Sequence, residues 1–138
     1  MLKQQQKRQE IAQLLYLYEF NNNLKKEREV SYNNHLLNSE EISLVLDEYN
    51  KIIAKKEVID KIIADNIENY SLSSLNIMDL SIIRLAVYEL KFSDIPYNII
   101  INEALELTKK FTNLDDDTQK KFTNKLLDSI YKSISSLK

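Results

Sequence analysis

The chain has 138 residues with no glycine, one proline and no cysteine, and its 19 Lys+Arg against 21 Asp+Glu leave a formal charge of −2. Without cysteine there are no disulfides, thiolate metal sites or cysteine nucleophiles. Without glycine the usual hairpin turns and phosphate-cradling loops are lost, which predicts an all-α fold, and the near-zero charge excludes indiscriminate nucleic-acid coating while permitting a local basic patch.

A chain of this size buries enough apolar surface for one core, so residues 1–138 are expected to form a single domain. No apolar run reaches the roughly 20 residues that span a bilayer, and the start MLKQQQKRQE lacks the apolar core of a signal peptide. A cytoplasmic protein with no membrane partner is the expectation.

The first helix is predicted from residue 3 to about 21, with Ile11, Leu14, Leu15 and Tyr18 as its buried stripe. Lys3, Lys7 and Arg8 make its amino end basic, which suits either a solvated helix start or a phosphate-contacting arm. Residues 21–38 show no period and read as a polar connection in which Lys25, Lys26 and Arg28 are offset by Glu27 and Glu29. His35, the one histidine, has no Cys or second His near it and is a poor metal ligand.

Ser39, followed by Glu40 and Glu41, predicts a capped helix start. Ile42, Val45, Tyr49, Ile52, Ile59, Ile63 and Tyr70 then recur at helical spacing, broken by Lys56 and Asn66, as one or two long helices of a bundle. Ser71, Ser73 and Ser74 mark the next break. Asn76 is expected to cap a helix whose stripe is Ile77, Leu80, Ile83, Val87 and Leu90, with Asp79 returning a capping-box bond. Ser93, Asp94 and Pro96 end it, and a helix from near Tyr97 carries Ile100 or Ile101, Ala104, Leu107 and Phe111 inward. These two helices should form an antiparallel hairpin.

Asp115, Asp116 and Asp117 lack calcium-loop spacing and its glycine, so they are read as capping the last helix. That helix is predicted from about Thr118 to Ser136, burying Phe122, Leu126 or Leu127, Ile130, Ile134 and Leu137. No nucleophile–base pair and no metal-ligand set is found, and Asn102 and Glu103, a polar pair that could do acid–base work, are explained more simply by capping and dipole effects. No enzyme activity, cofactor or metal is expected.

IIRLAVYELKFSDIPYNIIINEALELTKKF and KKFTNKLLDSI resemble the NusB family, whose pattern reads approximately LRLAxYEL, DIPxxVxINEAxELAKxF and KFVNGxLD. KRQEIAQLLYLYEF is similar to the family's arginine-led first helix with its LYxW-like step. The resemblance implies an all-α, compact bundle of about six to seven helices in two packed three-helix subdomains. It also implies transcription antitermination: binding boxA-type single-stranded RNA of rRNA leaders together with NusE, a small-subunit ribosomal protein, in the RNA polymerase antitermination complex. Some members form a homodimer. The same fold is appended to rRNA methyltransferases, for which this chain has no room.

Carried over by position, the resemblance assigns RNA contacts to Lys3, Lys7, Arg8, Tyr16, Arg84, Phe122 and Asn124. Lys125 stands where the family has glycine and adds a charge beside Phe122. Cations that hold phosphates, a ring that stacks a base and an amide that reads its edge suit single-stranded RNA, although core packing is the competing account for Tyr16 and Phe122, and for Phe122, which also lies on the apolar stripe, the two accounts weigh equally. Asp79 and Glu89 are assigned to the NusE-facing helix, where acids meet basic side chains, so that the outer edge of the hairpin is expected to offer Asp79 and Arg84 to partners. The arm KQQQKR is poorer in arginine than the family's, Tyr18 takes the tryptophan-like position and Thr112 replaces a second glycine. Weaker RNA binding with a shallower salt dependence is expected. The alternative is a protein-interaction adaptor that keeps the NusE surface with little RNA affinity.

Overall fold

The computed structural model describes residues 3–19, 37–67, 75–112 and 117–136. Among them are six helices and no strand: α1 Gln4–Tyr18, α2 Ser39–Ala54, α3 Lys56–Asp65, α4 Ile77–Phe92, α5 Tyr97–Thr112 and α6 Asp117–Ser136. The all-α expectation holds. The chain divides into two compact units, Met1–Ala54 and Lys55–Lys138, so the described helices fall two and four between them.

In the first unit α1 packs on α2. Ile11, Leu14 and Leu15 are buried, as their spacing predicts, whereas Tyr18 is half-buried. On α2 the buried positions are Val45, Tyr49 and Ile52, and burial followed by the nearby Tyr18 pushes the Tyr49 hydroxyl up to about 12. The cap of α2 differs from the expected Ser39. Asn38 Oδ1 accepts from the Glu41 amide (2.8 Å) and Glu41 Oε1 accepts from the Asn38 amide (3.0 Å), a reciprocal capping box shifted one residue upstream. The readings of Lys25, Lys26, Arg28 and His35 lie outside the described residues.

The long apolar repeat is two helices, because the backbone leaves helical geometry at Lys55 (φ −106°, ψ 9°). In the second unit α3 buries Ile59 and Ile63 and ends at Asn66, whose side-chain amide donates to the Ile62 carbonyl (2.8 Å). The Asn66 Oδ1 accepts from Ser129 of α6 (2.8 Å), a tie between these two helices. Tyr70, Ser71, Ser73 and Ser74 lie outside the described residues.

Asn76 caps α4 as predicted, its Oδ1 accepting from the Met78 (2.9 Å) and Asp79 (3.4 Å) amides. The helix ends where Ser93 folds back, its Oγ donating to the Glu89 carbonyl (2.7 Å). The Pro96 carbonyl then accepts from Ile99 and Ile100, which starts α5 at the predicted place.

α4 packs against α3, α5 and α6, and every residue from Asp79 to Glu89 is buried. This corrects the expectation of one apolar stripe with an outward edge offering Asp79 and Arg84. The polar residues survive such burial by bonding inward: Ser81 Oγ donates to the Ile77 carbonyl (2.8 Å), and Arg84 reaches across to α3. On α5, Ile100, Ile101, Ala104, Leu107 and Thr108 are buried, with Phe111 half-buried.

Candidate nucleic-acid interface

On α6 the buried positions are Thr123, Leu126, Leu127, Ile130 and Ile134, a stripe at three- and four-residue spacing that seats the helix on α4 and α5. The other described residues of the helix are half-buried or exposed. Asn124 and Lys125 are exposed, and Phe122 is half-buried at the margin of the stripe. Phe122 and Lys125 stand three residues apart on one face, so the helix brings a ring and a cation together, with the Asn124 amide on its other flank.

The candidate residues of α1 separate in the same way. Lys3 is exposed and Lys7 half-buried, one turn apart and joined through the backbone, the Lys7 amide donating to the Lys3 carbonyl (2.9 Å). Arg8 is 6% exposed and has bonding partners, and Tyr16 is half-buried and also engaged. The start of α1 has neither a side-chain cap nor an acid in its first turn. Two lysines at the positive end of a helix dipole disfavour the helix and each other, and an anion placed there relieves both.

The acids and the arginine of α4 are placed otherwise. Arg84 is buried, and its guanidinium grips Asp60 in two bonds, Nε to Oδ1 at 2.8 Å and Nη2 to Oδ2 at 3.1 Å. Lys56 also bonds Asp60 Oδ2 (3.1 Å). Arg84 therefore clamps α4 to α3 within the unit, and its guanidinium is turned away from solvent. Asp79 is buried and its Oδ1 has no hydrogen-bond partner among the described residues, so the expected capping-box return does not engage that oxygen. Desolvation raises its carboxyl above the usual range. Glu89 is likewise buried and has bonding partners. Asn102 is exposed, while Glu103 is half-buried with Oε2 unpartnered among the described residues.

A further constellation has no counterpart in the sequence reading. The Tyr97 and Tyr131 rings stack with centroids 4.0 Å apart and planes 9° from parallel, and the Tyr97 hydroxyl donates to Asp128 Oδ1 (3.1 Å). These positions are 31 and 34 residues apart in sequence, so no local spacing announces them. Among the described residues no group of three or more His, Cys, Asp or Glu stands ready to hold a metal, and no helix is long and apolar enough to cross a membrane.

Known proteins resemble this chain along nearly its whole length. The transcription antitermination protein NusB of Campylobacter jejuni is 32% identical over 133 residues, covering 96% of this chain and 98% of the relative. That of Bacillus thuringiensis is 35% identical over 131 residues, covering 94% and 97%. T. maritima NusB superposes with a TM-score of 0.80 at 27% identity over 95% of this chain and 92% of its own. A crystal structure of the antitermination factors NusB and NusE in complex with dsRNA matches at a TM-score of 0.78 and 23% identity, covering 96% and 99%, which speaks for the fold alone. The NusB family model matches residues 5–132, running through both units, and the chain belongs to the NusB family.

Proposed function

We propose that the chain holds boxA-type single-stranded RNA of rRNA leader transcripts as a heterodimer with NusE, within the RNA polymerase antitermination complex in the cytoplasm. Transcription antitermination is the activity of the family to which it belongs. The family match spans both units, which supports treating residues 1–138 as one RNA-binding domain. No catalytic step is assigned.

The observation that carries the reading is the outer surface of α6, where exposed Lys125 shares a face with half-buried Phe122 and exposed Asn124 lies on the other flank. A ring stacks an unpaired base, an ammonium holds the adjoining phosphate and an amide reads the edge of a further base. Lys3 and Lys7 at the uncapped start of α1 suit phosphates for the electrostatic reason given above. Arg84 leaves the set of direct contacts, because its guanidinium is bonded to Asp60. Buried Asp79 and Glu89 then act on NusE only where its basic side chains reach them, and the unpartnered Asp79 oxygen suits such a cation better than engaged Glu89.

The burial of both arginines of the candidate set favours a second reading, an adaptor that binds NusE but holds RNA weakly by itself. Titration of a boxA-like single-stranded RNA against the chain, with and without NusE, at two salt concentrations separates them. The leading reading expects sequence-preferring binding whose log affinity falls with log salt by about 0.7 per phosphate contact. Binding without sequence preference in both conditions leaves the adaptor.

A further inference from the structure

The lysine-bearing face of α6 continues beyond Lys125. From Gln119 to Ser135 the helix carries four lysines and a single carboxylate, Asp128. That carboxylate is already bonded, by Lys132 Nζ to its Oδ2 (3.0 Å) and by the Tyr97 hydroxyl to its Oδ1. The two bonds, Lys132 first, hold Asp128 below the usual carboxylate range, so its charge is compensated where it stands. Burial and the same carboxylate push the Tyr97 hydroxyl up to about 12, so the phenol keeps its proton and stays a donor.

Tyr97 is thus fixed at its tip, and its ring backs Tyr131, which remains 39% exposed. Since Tyr97 covers one face of the Tyr131 ring, the exposed area belongs to the other face and the edge. Periodicity relates this pair to the residues already described. Asn124 and Tyr131 are seven residues apart, as are Lys125 and Lys132, and all four are exposed. Seven residues make two helical turns, so Tyr131 and Lys132 stand on the same face about 10 Å further along the helix.

We propose that Tyr131, backed by Tyr97 and flanked by Lys132, is a second base-stacking position for single-stranded RNA, continuing the flank of α6 that Asn124 and Lys125 begin. The inference rests on the RNA-binding function proposed above. Charge decides the occupant: an excess of lysines with aromatic rings between them is how single-strand binders follow a backbone while stacking its bases, whatever their sequence. A protein partner docking through this platform is the rival that the experiment eliminates or adopts.

The test uses the full chain with NusE and two RNAs, a boxA-like element alone and the same element extended by a few nucleotides at each end, with 2-aminopurine placed in turn at each added position. One added position is expected to be quenched by the wild-type chain. Tyr131→Ala should abolish that quenching and weaken the extended RNA about tenfold while leaving the short element's affinity in place, and Tyr131→Phe should restore both. Lys132→Gln, which leaves the ring pair standing, should lower the salt slope for the extended RNA only. Phe122→Ala should weaken both RNAs. Unchanged binding of the extended RNA by Tyr131→Ala overturns the inference, as does weakened NusE binding in the absence of RNA, which marks a protein site. If Phe122→Ala is impaired and Tyr131→Ala is not, the inference falls alone; if the wild-type chain prefers neither RNA over a scrambled one, the proposed function falls and takes the inference with it.

Discussion

α4 and α6 carry the two motifs by which the chain is most readily recognised, yet they occupy opposite environments. α4 is buried from Asp79 to Glu89 and turns Ser81 and Arg84 to partners inside the fold, leaving Asp79 Oδ1 unpartnered among the described residues, whereas α6 buries one stripe and leaves Asn124, Lys125, Tyr131 and Lys132 in solvent. The same kinds of side chain therefore do different work. A buried arginine of α4 bonded to α3 is a fastening between those two helices, and a lysine on the outer face of one helix is open to a phosphate.

The difference predicts separable failures, the largest at Arg84. Arg84→Ala leaves the Asp60 carboxylate, largely withdrawn from water, with only Lys56 beside it among the described residues. Removing one partner of such a pair costs about 3 kcal/mol, to be read as a lowered midpoint in urea unfolding. Arg84→Lys should recover only part of this, since an ammonium cannot make the two parallel bonds of the guanidinium. The RNA affinity of the folded fraction should be unchanged. A variant of normal stability and weakened RNA binding would instead return Arg84 to the RNA-contacting set.

Lys125→Gln is the converse and smaller test. The side chain is exposed and among the described residues no bond of it holds α6 in place, so thermal unfolding should coincide with that of the wild type. The salt dependence of RNA binding should become shallower by about 0.7 in slope. A drop in melting temperature with an unchanged slope would erase the contrast between the two helices.

Local features were legible because their causes are local. The Asn76 cap, the break at Pro96 and the buried stripes of α1 and α6 each depend on residues within a turn of one another. The cap of α2 shows the grain of such reading: Asn38 and Ser39 are both good caps, and Glu41 stands at the capping-box position only from Asn38. The environment of α4 was not legible. Ser81, Arg84 and Glu89 look like an outer face, and what turns them inward includes Asp60, 24 residues before Arg84. The Tyr97–Tyr131 stack escaped for the same reason. A motif match conveys that Arg84 and Phe122 belong to a pattern without conveying that one is enclosed and the other borders solvent.

Asp79 tests the enclosed helix most finely. Burial raises its carboxyl above 3.8, so the native chain binds this proton more tightly than the unfolded chain does. Stability from this group is then greatest at acid pH and is lost as pH rises from about 3.8 through the raised value, the opposite of a salt-bridged carboxylate. Asp79→Asn removes the ionisation and should flatten that part of the stability profile, with a melting temperature at neutral pH slightly above wild type. The same substitution deletes the charge proposed to receive a NusE cation, so NusE affinity should fall as stability rises, and calorimetric titration at neutral pH reads the two in opposite directions. If Asp79→Asn lowers the melting temperature instead, the carboxylate is stabilising the first turn of α4 as an anion, and the unpartnered oxygen loses its claim as a landing point for a partner.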